Sequence, residues 1–414
     1  MNQQNTGLFS AQDTAAQSHT ANAVRGAANL VDNCIGAVEG KHVLLVCEDP
    51  VFGWYDAEAP DLVQQQLLAR GAIVTRMTVG LPTNRIDLDV QDAMTTADTV
   101  VFFARLGDQG RFKPRYSAPH SVMSYALNAG MLGSGYGMLD HQIMCSFKDA
   151  IDRITLTAER ITVTCPRGTR FEGSPGDSLR HGKEVVVRRF PMGIPQPVLN
   201  DGFSGEVVLA HYLTPTGSKI YTPDTLKLRA PVTVRFEGNQ IIGFSGPADV
   251  VAEVESHYQR IADTFGLDTW HVDSWHAGIH PLMAYDAPVA RDPVRWSSTA
   301  FQHPRLLHFH TCGNVPPGEI CWTVIDPTIL IDGVVLWQDG RLHPERFAAT
   351  KVRYLVVEHH RSERLEWQEA PEFERAQATL RIALRCALLA RVTPRTHNIS
   401  SSFGGHSLID RTQA

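Results

Sequence analysis

The chain has 414 residues, 43% hydrophobic and 20% charged, with a formal net charge of −6. This is the composition of a soluble globular protein with room for two domains. It lacks the basic stripe a nucleic-acid surface needs, and no apolar run reaches the ~20 residues of a membrane span, so neither nucleic acid nor membrane is an expected partner.

In chain order, residues 1–20 are rich in Gln, Ser, Thr and Ala, have no secretory pattern, and are read as a disordered arm. Apolar residues at helical spacing predict a helix over 21–36. The run His42-Val43-Leu44-Leu45-Val46-Cys47 predicts a buried strand. An amphipathic helix over 61–70, a strand over 72–79, a helix over 88–97 and a strand over 99–104 follow. Alternating strands and helices predict a parallel α/β sheet. Helices are expected over 117–130 and 140–159, with a flexible glycine loop at Gly133-Ser134-Gly135-Tyr136-Gly137.

Beyond residue 155 the texture changes. Short β-rich runs at 160–165, 168–172, 184–189, 205–211 and 231–237, punctuated by Gly, Pro and Asp, predict an antiparallel sheet. Helix 248–266 carries Val250, Val254, Tyr258, Ile261 and Phe265 at 3.6-residue spacing. A strand at 350–358, a helix at 373–390 and a mobile polar tail complete the expectation. The domains are thus an arm (1–20), an α/β domain (21–155), an α+β domain (156–395) and a tail (396–414).

The seven cysteines are odd in number and irregular in spacing, and no C-x-x-C pair occurs. Reduced thiols in a cytoplasmic protein are expected, without a structural zinc knuckle.

Chemistry concentrates in 270–326. Five of the 18 histidines fall in three short runs there, Trp270 to His280, Leu307 to Gly313 and Gly318 to Cys321, with Glu319, Cys312 and Cys321 close by. Imidazole, carboxylate and thiolate are the side chains that bind transition metals. In a strand, His308 and His310 project to one face. With His276 and Glu319 they supply two or three imidazoles and one carboxylate, enough for a mononuclear iron centre or for catalytic zinc. Cys321 either joins the site or stands by. His271, Asp273 and His280 are candidate supports for ligating imidazoles or cleft residues. Trp275 and Trp322 suit a binding cleft or an ordinary core. No phosphate-binding loop and no Gly-x-Ser-x-Gly elbow is present.

Three further stretches carry a resemblance: Ile161 to Phe171, Phe190-Pro191-Met192-Gly193, and Val234 to Ile242. With the 24–340 region around them, they resemble the aminopeptidase T family of metallopeptidases and its iron-dependent relative, 2,5-dihydroxypyridine 5,6-dioxygenase. The resemblance implies a metal enzyme that forms a homodimer or larger assembly. It places His276, and His310 or His308, at ligand positions. Two departures stand out. Ile194 occupies a position that is Glu in the peptidases, and Glu319-Ile320-Cys321 stands where the relatives have His-x-Asp. Since a metal pair needs bridging carboxylates, one divalent ion, Fe2+ or Zn2+, is expected in place of two. The function expected is therefore a mononuclear, dioxygenase-like or hydrolase-like enzyme for a small aromatic or peptide-like substrate. The alternative is a metal-free, catalytically degenerate holder of a peptide or small molecule for a partner enzyme, for instance in natural-product biosynthesis.

Overall fold

The structure is a computed structural model and describes residues 11–83, 87–109, 120–176, 187–209, 211–215, 221–283, 285, 287–313 and 319–346. The strand expected at 350–358, the helix at 373–390 and the tail lie outside the described residues. In chain order the strands are β1 (His42–Glu48), β2 (Ile73–Val79), β3 (Thr99–Phe103), β4 (His120–Ser124), β5 (Ile161–Thr164), β6 (Arg170–Gly173), β7 (Arg188–Phe190), β8 (Val198–Leu199) and β9 (Phe203–Leu209). They continue as β10 (Tyr212–Leu213), β11 (Leu226–Lys227), β12 (Val232–Glu237), β13 (Gln240–Ser245), β14 (Val272–Ala277), β15 (Leu306–Thr311), β16 (Ile320–Ile325), β17 (Thr328–Ile331), β18 (Val334–Gln338) and β19 (Arg341–Leu342).

The expected α/β-then-α+β architecture is what the structure shows. The first sheet is parallel, ordered β2-β1-β3-β4-β7. Six of the seven β1 residues are buried, as a strand covered by helices on both faces requires. The helix Ala11–Asn29 runs on into a π-helical stretch, Leu30–Ile35, and begins inside the segment read as an arm.

Two expectations need correction. From residue 120 on, the helix expected over 117–130 is instead β4, with a short helix at Ala129–Leu132; residues 117–119 lie outside the described residues. Ser121-Val122-Met123-Ser124 is too short a run to separate helix from strand by period. The slot between β3 and β7 decides it. Of the 184–189 run, expected in the antiparallel sheet, Arg188 and Arg189 belong to β7 of the parallel one, paired with β4, and residues 184–186 lie outside the described residues.

Strand order reverses between β1 and β3, where open α/β sheets commonly bind ligands. Here the carboxyl ends of these strands hold a buried ion pair between Glu48 and Arg105. The Arg105 guanidinium lies 4.4 Å over the Trp54 ring.

The other large sheet is antiparallel, ordered β13-β12-β9-β6-β5-β17-β18-β19, and faces a four-stranded sheet ordered β16-β15-β14-β8. The seam between them is aromatic. The Phe171 ring meets Phe309 at 5.2 Å and Trp275 at 5.7 Å, both edge-on. Phe309 meets Trp322 at 5.1 Å. Each of these fully buried rings contributes about 1.5–3 kcal/mol by leaving water. Trp275 and Trp322, weighed for a cleft, therefore belong to this core. Helix Ala248–Phe265 closes the seam, with Tyr258 hydroxyl 2.6 Å from Thr311 Oγ1.

Candidate metal centre

Strand alternation sorts the four-stranded sheet into two faces. Leu307, Phe309, Trp275 and Trp322 point into the aromatic seam. Leu306, Cys321 and Ile325 join the core cluster built around the parallel sheet. His308 and His310 share the parity of Leu306, so they lie on this second face.

A bulge adjusts β14 to match. Val272 pairs with Thr311 and Ser274 with His310, leaving Asp273 as the extra residue between them. Without it, Val272 and His276 would share a face. With it, Val272 enters the aromatic core while His276 turns to the other side, opposite His308.

The result is a cluster of three imidazoles. His276, His308 and His310 each offer a ring nitrogen within 4.8 Å of the others, the one such group among the described residues. Nε2 of His276 is 2.9 Å from Nε2 of His310. The His276 and His308 rings lie 4.5 Å apart, and those of His308 and His310 5.0 Å apart. Phe301 lies flat on His308 at 4.3 Å and 7°.

The outer ring nitrogens have partners that set the proton positions. Nδ1 of His276 lies 3.0 Å from the carbonyl of Pro195, which can only accept, so Nδ1 carries the proton. Nδ1 of His310 lies 3.3 Å from Oε1 of Glu319, off the line of a full hydrogen bond but within ion-pair reach. With the proton of each ring on Nδ1, the two Nε2 lone pairs face each other; with the His310 proton on Nε2, the same contact is an ordinary hydrogen bond. In the first arrangement the 2.9 Å gap holds a proton or a cation. Two nitrogens at about 2.1 Å from one ion stand about 3.0 Å apart at the right angles of six-coordination and about 3.4 Å apart in a tetrahedron, both close to the spacing here. The residues therefore fit a single metal ion.

Glu319 is buried, and its carboxylate meets the outer nitrogen of His310, away from the point where the Nε2 atoms meet. His271 and Asp273 lie 3.7 Å from each other at the start of β14 and are partly exposed. His280 is fully buried. Its Nδ1 accepts from Leu282 N–H at 3.2 Å, its ring lies edge-on to Tyr136 at 4.9 Å, and burial pushes its pKa down to about 3. Tyr136, in the stretch expected as a flexible loop, is buried in the short helix Gly135–Met138. Ile194 is buried and apolar, next to Pro195. Cys321 is buried opposite His310, its sulfur in no disulfide.

Sequence reasoning missed Pro195 and Phe301. The Pro195 contact spans 81 residues and uses a carbonyl that every residue has, so no sequence signal marks it. Phe301 belongs to the Pro293–Ala300 helix end, where an aromatic residue reads as ordinary core.

No family model matches the chain, and no curated protein does. Among solved structures it is similar to 2,5-dihydroxypyridine dioxygenase from Pseudomonas putida KT2440, with a TM-score of 0.52 and 13% identity over 78% of this chain and 97% of that one. This likeness is one of fold. No helix among the described residues is long and apolar enough to cross a membrane.

Proposed function

We propose that this chain is a mononuclear metal-dependent enzyme for a small aromatic or peptide-like substrate, with the ion held by His276, His308 and His310. One observation carries the proposal: two Nε2 atoms 2.9 Å apart, on the buried His276 and the partly buried His310, rings whose Nδ1 atoms face acceptors. The fold likeness to a dioxygenase supports an iron-type centre over a two-metal peptidase. So do the apolar Ile194 and the absence of a carboxylate from the clustered group among the described residues.

When bound, iron would supply dioxygen chemistry and zinc Lewis acidity. The residues present have separate tasks. Pro195 holds the His276 ring in one tautomer and orientation. Phe301 covers one face of His308 and keeps water off it. Burial of His276 and His308 lowers the local dielectric, which strengthens their interaction with a cation.

Metal analysis of purified protein tests this, with anaerobic Fe2+ loading and oxygen uptake over a panel of hydroxylated aromatics. One ion per chain, abolished by His276→Ala, is expected. Protein that stays metal-free after loading, yet still binds a peptide, would overturn the proposal in favour of a holder.

A further inference from the structure

The role of Glu319 deepens that reading and rests on it. The carboxylate is 2% exposed and its Oε1 stands 3.3 Å from Nδ1 of His310. The two nitrogens of an imidazole ring point away from each other. An oxygen held at Nδ1 of His310 is therefore turned away from the point where Nε2 of His310 meets Nε2 of His276. The nitrogens of the three histidines lie within 4.8 Å of one another, and Glu319 oxygens do not complete that group. The backbone explains why. His310 pairs with Cys321, and Glu319 stands two residues before Cys321, just ahead of β16, so it shares the parity of Cys321 and reaches the His310 ring from beyond the strand end.

We propose that Glu319 is a positioning residue: its carboxylate holds the Nδ1–H of His310 and turns Nε2 of that ring to the metal, so that the donor set is three imidazoles rather than two imidazoles and a carboxylate. A buried carboxylate is expensive to leave unpaired, and carboxylate–histidine–metal chains are a recurrent way to orient a ligating ring. The 3.3 Å ion-pair contact to His310 serves both. The donor set then carries no charge of its own, and the ion's charge is offset only at one remove, through His310.

Zn2+ titration of the full chain by chelator competition separates the two roles. X-ray absorption of the zinc-loaded protein then counts imidazole ligands. The variants are Glu319→Gln, which keeps an acceptor for Nδ1–H, Glu319→Leu, which does not, and His310→Gln. The expected result is one ion per chain in both Glu319 variants, with affinity about 10-fold weaker for Gln and about 100-fold weaker for Leu. Three imidazoles should be counted in the wild type and in Glu319→Gln, and His310→Gln should lose one of them. Glu319→Gln weakening zinc binding as much as His310→Gln does would make Glu319 a ligand and overturn the inference. Unchanged affinity in Glu319→Leu would overturn it as well. Should Glu319→Leu fail to fold, the isosteric Gln variant and the imidazole count decide alone. Wild-type protein that takes up no zinc would instead remove the metal centre itself, an outcome distinct from failure of the Glu319 role.

Discussion

Removing the His276 imidazole gives a quantitative test of the centre. In the wild type, free Zn2+ at 100 times Kd should stabilise the fold by about 2.7 kcal/mol. At about 2–4 °C per kcal/mol for a chain portion of 150–250 residues, that is a metal-induced rise in Tm of roughly 5–11 °C. His276→Ala lowers the metal-free Tm first. It removes the bond to the Pro195 carbonyl, about 1 kcal/mol, and leaves a cavity beside His308. The informative quantity is therefore the metal-induced increment within each protein. The lost imidazole stands 2.9 Å from one remaining partner and adjoins the other. A 1,000-fold loss of affinity, about 4 kcal/mol, would leave the same Zn2+ concentration at a tenth of the new Kd, and the increment would fall to about 0.06 kcal/mol. Scanning calorimetry with and without Zn2+ reads this directly. His271→Ala serves as the control, because His271 pairs with Asp273 outside the cluster and its increment should match the wild type. An equal increment in wild type and His276→Ala would refute a site centred on these rings.

Other perturbations follow from the same structure. Arg105→Met leaves Glu48 buried without its cation and should cost about 3–5 kcal/mol in urea unfolding. The double variant Arg105→Met, Glu48→Leu should recover much of that. Gly278→Ala places a Cβ against the Gln302 and His303 backbone, two residues from His276. It should cost about 1–3 kcal/mol and weaken zinc binding together. Acid should destabilise the fold through three buried histidines. Burial lowers His141 and His257 to about 4 and His280 to about 3. Above pH 6.5 these rings are neutral in both states and carry no penalty. As pH falls through 6.5 the unfolded chain takes up protons that the fold refuses. Stability should then fall by up to about 1.4 kcal/mol per pH unit per histidine, until about pH 4 for the first two and about pH 3 for His280. A flat unfolding free energy between pH 6.5 and 4 would contradict this burial.

Much of the architecture was legible in the residues because local patterning carries it. The apolar run His42 to Cys47 could only be a buried strand, and Val250, Val254, Tyr258 and Ile261 could only line one helix face. The concentration of histidines in β14 and β15 was equally plain, since residue types and the two-residue period of a strand are local facts. Where long-range contacts outweighed local preference, sequence was mute. Val122 and Met123 became a strand because β3 and β7 offered ladder partners on either side. Trp275 and Trp322 were assigned to core by the face on which their strands pack. The centre itself belongs to tertiary structure. A single bulge at Asp273 turns His276 toward His308 and His310, the Pro195 carbonyl reaches it from 81 residues away, and Glu319 meets the outer side of His310. Composition and period state which groups a chain can bring to a site. Register, bulges and backbone carbonyls, which no residue letter encodes, decide which nitrogen faces which neighbour.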